Sequence, residues 1–470
     1  MRLLFTAICL CLSLGLVTSV HAQVPDSDAS SLEGSWQGTL DVPGASLQVV
    51  IHLDREDTQW RGTLDSPDQG VSGLTMDTVT VQNDSLSFAI NDIAGRYEGH
   101  QVEADTVHGT WMQGGSEFAL VLARTEEPAT TNRPQTPQEP FPYSSETITF
   151  AADDDGPTLT GVLTRPEDVE QPPAIVLVSG SGPHDRDGET MGHATLLVLG
   201  DYLTRQGFAV LRYDERGIGA SEGTFDDATT PMLATDVKAA LHHLRSRSDV
   251  DADRLGIIGH SEGGMIAAKL AAENPDWVQF IVLLGAPGIP GDAILQDQLA
   301  TSSEEAGMPP RLLEAQLDTQ AQVFKIMKQS TDSTATADTL RTLIEKTSGV
   351  SSGEVIDREI AHLMDPWFVH FVSYDPAEHL RQITQPTLAL IGTLDQQVRP
   401  ELNVDPLRDA LEAAPTDTYA VETLDGLNHL FQTAETGSPN EYGQIEETLA
   451  PAALERIVEW IRTNALLDTP

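Results

Sequence analysis

The chain contains almost no cysteine. Of 470 residues only Cys9 and Cys11 carry a thiol, and both fall in the first 22 positions. A chain shortened by that leader has no disulfide, no thiolate metal centre and no cysteine nucleophile to offer. Basic residues are scarce as well: 27 Lys and Arg face 72 Asp and Glu, for a formal net charge of −45. The acid is spread along the whole length. Phosphate backbones are held by clustered basic side chains, so this composition excludes a nucleic-acid partner. It equally disfavours adhesion to an anionic membrane surface. Long apolar runs are missing beyond the leader, and crossing a bilayer as a helix takes about 20 such residues.

A surface this acidic repels itself in dilute buffer, and the repulsion is screened to a range of about 3 Å at 1 M salt. The expectation is a protein adapted to high salinity. The leader has a basic start at Arg2, an apolar stretch from Leu3 to Val20 and a small-x-small site at Val20-His21-Ala22. These features predict a secretory signal peptide over 1–22, a mature chain from Gln23 and a secreted or periplasmic location. No stable membrane insertion is expected after cleavage, and the cleavage site lacks the cysteine of a lipoprotein.

Apolar periodicity divides the remainder. From about 31 to 124 alternation dominates, as in Ser46-Leu47-Gln48-Val49-Val50-Ile51-His52-Leu53, with turn signals at short spacing and no helical period. This predicts a small all-β domain, barrel or sandwich. Its opening, Gly34-Ser35-Trp36-Gln37-Gly38, resembles the start of lipocalin-like barrels, with Trp36 read as a core residue. Residues 125–142 hold a polar, Pro-rich stretch that reads as a linker. From 144 to 465, apolar strands alternate with amphipathic helices, the pattern of an α/β domain built on a mostly parallel sheet covered on both faces. The alternation breaks over about 289–380. That helical stretch is too long for a loop and is read as an inserted lid.

One segment carries a chemical signal. Leu255-Gly256-Ile257-Ile258 is an apolar strand, Gly259-His260-Ser261-Glu262-Gly263 a cramped turn with serine at its apex, and Met265 to Ala272 a helix. This is the G-x-S-x-G nucleophile-elbow pattern, in which small flanking residues let strand and helix approach while the serine is pushed above the sheet. A chain of this length shows the pattern by chance with odds of roughly one in five. A second copy, Gly219-Ala220-Ser221-Glu222-Gly223, is indeed present, but no strand leads into it and no helix leads out. Context therefore selects Ser261 and leaves Ser221 as a loop residue.

A serine hydroxyl needs a base and a group to orient that base. On this kind of fold the order is Ser, Asp or Glu, then His, each beyond the end of a strand. Asp395 follows the strand Thr387–Ile391, and His429 is the one histidine after the last strand. Asp425 lies nearer to His429 in sequence, but Asp425-Gly426 reads as a turn, and Asp395 is preferred. The loop Gly180-Ser181-Gly182-Pro183-His184-Asp185-Arg186-Asp187 follows the first central strand. It can turn the Ser181 amide toward the serine, beside that of Glu262, as an oxyanion hole. No Gly-Lys-Ser/Thr follows, so a phosphate loop does not fit. His184, Asp185 and Asp187 could bind a metal, though salt bridging, for instance to Arg186, is the simpler reading.

Val178-Ser179-Gly180-Ser181-Gly182-Pro183-His184-Asp185-Arg186-Asp187 resembles a segment of bacterial α/β-hydrolase esterases, near the dienelactone-hydrolase and prolyl-oligopeptidase-like branch. Arg212-Tyr213-Asp214-Glu215-Arg216-Gly217-Ile218-Gly219-Ala220-Ser221 is similar to the D-x-R-G-x-G-x-S loop of that superfamily, which absorbs the second elbow copy. Gly259 to Gly264 and Leu427-Asn428-His429-Leu430-Phe431 also match. The resemblance covers about 145–465. It implies a carboxylesterase acting on short acyl chains of small-molecule esters, with Ser261, Asp395 and His429 as triad and neither cofactor nor metal. A serine peptidase could run on the same three residues. A binding protein on a hydrolase scaffold would usually lack one of them. Nothing in the sequence sets an oligomeric state.

Overall fold

The computed structural model describes residues 32–42, 45–56, 59–66, 71–125, 132–153, 156–329, 333–347 and 353–465. The expected signal peptide, both cysteines and residues 126–131 of the Pro-rich stretch lie outside them. The chain divides into two compact units, Met1–Asn132 and Arg133–Pro470.

The first unit is a single antiparallel sheet. Its strands are β1 (Gly34–Val42), β2 (Ala45–Glu56), β3 (Gln59–Ser66), β4 (Val71–Thr75), β5 (Thr78–Gln82), β6 (Ser85–Ile90), β7 (Gly95–Glu103), β8 (Thr106–Gln113) and β9 (Ser116–Thr125). They run in the order β4-β3-β2-β1-β9-β8-β7-β6-β5. The two edge strands are consecutive in sequence. The link between them bonds both flanks, Met76 N–H to Gly62 O at 3.0 Å and Asp77 N–H to Ala89 O at 2.9 Å. The sheet therefore curls upon itself, and the sandwich alternative does not apply. Its inner face is filled: Trp36, Ile51, Leu53, Phe88, Tyr97, Val107, Leu120 and Leu122 are each at most 2% exposed. The Trp36 indole N–H donates to Leu32 O at 2.9 Å, so this residue is a satisfied core group. Gly99 and Gly109 leave the space that the Tyr97 ring occupies.

The second unit is built on an eight-stranded sheet. Strands β10 (Ser144–Ala151) and β11 (Thr158–Arg165) form an antiparallel hairpin. Next come β12 (Pro173–Val178), the short pair β13 (Glu189–Thr190) and β14 (His193–Ala194) outside the main sheet, then β15 (Ala209–Tyr213) and β16 (Asp251–His260). The sheet ends with β17 (Phe280–Leu284), β18 (Thr387–Gly392) and β19 (Tyr419–Leu424). The order is β10-β11-β15-β12-β16-β17-β18-β19, parallel from β15 onward.

The central strands read as unbroken apolar runs because both faces are covered. Val176 and Val178 of β12 point to one side, with α2 (Thr230–Arg245), α3 (Glu262–Glu273) and α10 (Pro400–Glu412). Ile175 and Leu177 point to the other, with α1 (Thr195–Arg205) and α11 (Pro451–Trp460). Pro231 lies in the first turn of α2, where no N–H partner is needed.

Between β17 and β18 the chain leaves the sheet as α4 (Gly291–Glu305), α5 (Pro310–Gln329), α6 (Ser333–Thr347), α7 (Gly353–Leu363), α8 (Pro366–Ser373) and α9 (Ala377–Leu380). This helical insertion, the stretch read as a lid from the sequence, has its own core of Ile294, Phe324, Leu340, Phe368 and neighbours, joined by Met265 from α3. The Pro-rich stretch differs from a free linker. Arg133 donates to Gly443 O at 2.7 Å and Ile445 O at 2.6 Å, and Gln135 to Leu449 O at 2.7 Å. From Arg133 onward it is therefore part of the second unit.

Candidate active site

The elbow sits where β16 gives way to α3. Ser261 occupies the turn with φ 54° and ψ −118°. A non-glycine residue held in such a conformation costs about 1–3 kcal/mol, which the surroundings must offset. They do so by close packing. A Cβ on Gly259 would lie 2.1 Å from Gly263 O, and one on Gly263 would lie 2.4 Å from Ser179 O. Only glycine permits this approach of strand, helix and loop. The Ser261 N–H donates to Leu284 O of β17 at 2.8 Å, which fixes the turn to the sheet. Glu262 opens α3, so its N–H belongs to the first turn, which has no partner within the helix.

Asp395 and His429 follow β18 and β19 at the same edge of the sheet. His429 Nδ1 donates to Asp395 Oδ2 at 2.8 Å, and both side chains are buried. The other carboxylate oxygen accepts the Gln397 and Val398 N–H groups at 2.9 and 2.8 Å. Asp395 is thus rigidly held, and it fixes the tautomer that leaves His429 Nε2 free to accept a proton. Gly285, after β17, makes room for this pair: a Cβ there would lie 3.1 Å from the His429 ring. Asp425 is exposed and accepts from Thr393 Oγ1 at 3.3 Å, away from His429. Among the described residues neither Ser261 Oγ nor His429 Nε2 has a hydrogen-bond partner. Such contacts often close only around a substrate.

His260 packs against His429. Its ring centroid lies 4.7 Å from that of His429, and its Nε2 donates to His429 O at 2.9 Å. Burial, reinforced by His429, pushes its pKa down to about 3, so it stays neutral.

The Gly180-Ser181 loop passes directly over the elbow: a Cβ on Gly180 would lie 3.2 Å from Ser261 Cβ. The Asp214-Glu215-Arg216-Gly217 segment holds this loop. Glu215 accepts from Ser179 Oγ at 2.7 Å and His184 N–H at 2.9 Å, and burial pushes its carboxyl up to about 8. Asp214 accepts from the Arg186 N–H at 2.8 Å and forms a bidentate pair with its guanidinium. Asp187 pairs with Arg212 instead. Arg186 is therefore matched to Asp214, not to its neighbours Asp185 and Asp187 as the sequence suggests. Among the described residues no group of three acidic, histidine or cysteine side chains is arranged to hold a metal. Ser221 is a tie. Its hydroxyl donates to Asp214 O at 2.6 Å and accepts the Thr160 N–H at 2.9 Å.

Residues 187–335 match the family model described as serine aminopeptidase, S33. The stretch matched lies within the second unit, whose α/β architecture is the fold class of the α/β hydrolases. Esterase EstD of Thermotoga maritima is 26% identical over 316 residues, which is 64% of this chain and 65% of that protein. The uncharacterized protein YfhR of Escherichia coli K12 is 33% identical over 125 residues, 27% of this chain and 41% of that protein. The chain thus covers at most 65% of the length of these relatives. Among solved structures, the Pyrococcus furiosus esterase Pf2001 aligns at 15% identity over 71% of this chain and 98% of its own, with a TM-score of 0.44.

Several residues that shape the candidate site were not singled out from the sequence. Glu215 and Asp214 sit inside the loop that resembles the superfamily, yet nothing in that loop says which groups they hold. The Glu262 side chain, Thr230 and the lid residue Trp367 meet beside the elbow. His193, Gln432 and Tyr442 form a buried network under the His429 loop, with Gln432 Nε2 2.8 Å from His193 Nε2 and Tyr442 O 2.9 Å from the same nitrogen. Glu262 carried a sequence signal as part of the elbow, and Thr230, Trp367, His193, Gln432 and Tyr442 carried none.

Proposed function

We propose that the chain is a serine carboxylesterase that hydrolyses short-chain acyl esters through Ser261, His429 and Asp395. The observation that carries the reading is the strained serine at the elbow, on the same sheet edge as a buried His429–Asp395 pair at 2.8 Å. His429 Nε2 takes the Ser261 proton as Oγ attacks the ester carbonyl. The tetrahedral oxyanion is held by the Ser181 and Glu262 amides. Collapse expels the alcohol, which receives the proton from His429, and leaves an acyl-serine. Water, deprotonated by His429, then releases the acid and restores Ser261. Asp395 keeps the ring oriented and stabilises its charged form. No cofactor or metal enters this scheme. The name of EstD supports ester hydrolysis, and the short acyl chain rests on the resemblance of the site motifs.

A second reading is favoured by the description of the matched family model: a serine peptidase of aminopeptidase type. Parallel assays with p-nitrophenyl acetate and aminoacyl p-nitroanilides separate the two. Fast ester turnover with little anilide cleavage is expected. Preferential anilide cleavage would replace the esterase by the peptidase. The proposal includes secretion, on the basic start at Arg2, the apolar stretch and the small-x-small site Val20-His21-Ala22 of the leader. Detection of a mature chain starting at Gln23 outside the cytoplasm checks it.

A further inference from the structure

The Glu262 carboxyl is an acid in an unexpected place. It follows the elbow serine directly, is 2% exposed and has no cationic partner among the described residues. A buried carboxyl without a counter-charge survives only if donors surround it. Here they come from two separate elements. Thr230 Oγ1, at the start of α2, donates to Oε1 at 2.6 Å. The Trp367 indole N–H, from lid helix α8, is shared by Oε1 at 2.9 Å and Oε2 at 3.0 Å. The Ser181 hydroxyl, in the loop over the elbow, acts on the same group and favours its charged form. Burial raises the carboxyl above its usual range, and the donors around it oppose that rise.

Trp367 is itself fixed. Asp365 caps α8 by accepting the Trp367 N–H at 3.0 Å and the Phe368 N–H at 3.2 Å. The indole stacks on Phe371 at 5.1 Å, and Phe368, Phe371 and Val372 lie in the lid core. The indole therefore moves with the lid. If the lid lifts, Glu262 loses its donor on that side, and its carboxyl must turn toward water or Ser181. The backbone of Glu262 and that of Ser181 carry the two amides proposed for the oxyanion. We infer that Glu262 is a positioning residue that couples the lid to the oxyanion hole, so that both amides are set only when Trp367 is seated. This rests on the esterase reading for its kinetic consequence, but the tie between lid and elbow does not.

The test uses the full chain with Trp367→Phe, which removes the N–H and keeps a ring, Glu262→Gln, and the double variant. Two measurements are made on each: kcat and KM for p-nitrophenyl esters from acetate to octanoate, and the rate of tryptic cleavage in the lid between Arg311 and Arg358. The coupling predicts that each single variant loses about 10- to 100-fold in kcat, the scale of a misplaced group. It predicts a nearly unchanged KM across chain lengths, a double variant no worse than the worse single, and faster lid cleavage in all three. Wild-type kcat in either single variant overturns the coupling. So does a loss confined to KM that grows with chain length, because Trp367 would then only line the acyl pocket. Unchanged lid cleavage overturns it too. If the wild type hydrolyses no ester while lid cleavage still accelerates in the variants, the esterase reading fails and the tie between lid and elbow stands.

Discussion

Gly263→Ala probes the packing that creates the elbow. The added Cβ would meet Ser179 O at 2.4 Å and Val178 O at 2.5 Å, where ordinary contact begins at 3.4 Å. Both are backbone atoms at the end of β12, so no side chain can swing aside. Either α3 or the Ser179–Ser181 loop must withdraw by about 1 Å. Forced overpacking of this kind costs about 1–3 kcal/mol. Unfolding entropy of about 2.1 cal/mol/K per residue over Arg133–Pro470 converts that cost to a Tm lowered by about 1–4 °C. The larger effect is on chemistry, since a 1 Å displacement of the oxyanion loop from Ser261 is worth about 100-fold in kcat. The assay pairs calorimetry with p-nitrophenyl acetate turnover. Gly353→Ala is the control, because nothing lies within 4 Å of a Cβ there and the backbone is unstrained. It should hold Tm and kcat. A Gly263→Ala protein with wild-type Tm and kcat would refute the claim that glycine is required for this approach.

Other outcomes follow from the same geometry. Asp395→Asn should lower kcat by about 10⁴-fold through the wrong His429 tautomer, while Asp425→Asn stays within about twofold. Steady-state kinetics on both variants decide which carboxyl orients the base. Glu215 is raised from 4.5 to about 8 in the fold, so the folded chain holds an extra proton across that window. Its contribution to stability is full at low pH and is lost as pH rises toward 8. Urea unfolding should therefore show Glu215→Gln matching the wild type at pH 5 and exceeding it at pH 9, and an equal difference at both would contradict the assignment. With a formal net charge of −45, Tm should rise from dilute buffer to 1 M salt, and a fall would reject salt adaptation.

Much of the second unit could be read directly from the chain. Strands such as Phe280–Leu284 are buried on both faces and therefore appear as unbroken apolar runs. The elbow was legible because its glycines answer to a local steric demand. Ser261 and Ser221 share a five-residue pattern, and only the strand and helix around one of them separate the two. What could not be read is what tertiary packing decides. Trp367 and Glu262 are 105 residues apart, and no periodicity announces that an indole will meet a carboxyl. Arg133 lies in a stretch with linker composition, yet its guanidinium finds carbonyls more than 300 residues away. In the first unit, alternation told which residues face inward. It could not tell whether a second sheet or the same sheet curled round would cover them.

The central claim is that Ser261 forms the acyl-enzyme. Incubation with a p-nitrophenyl phosphonate, followed by intact-mass and peptide mapping, tests it most directly. The account predicts one adduct per chain, located on Ser261, with release of one equivalent of p-nitrophenol, and neither in Ser261→Ala. Labelling at Ser221, or an unlabelled wild type that still turns over p-nitrophenyl acetate, would contradict it.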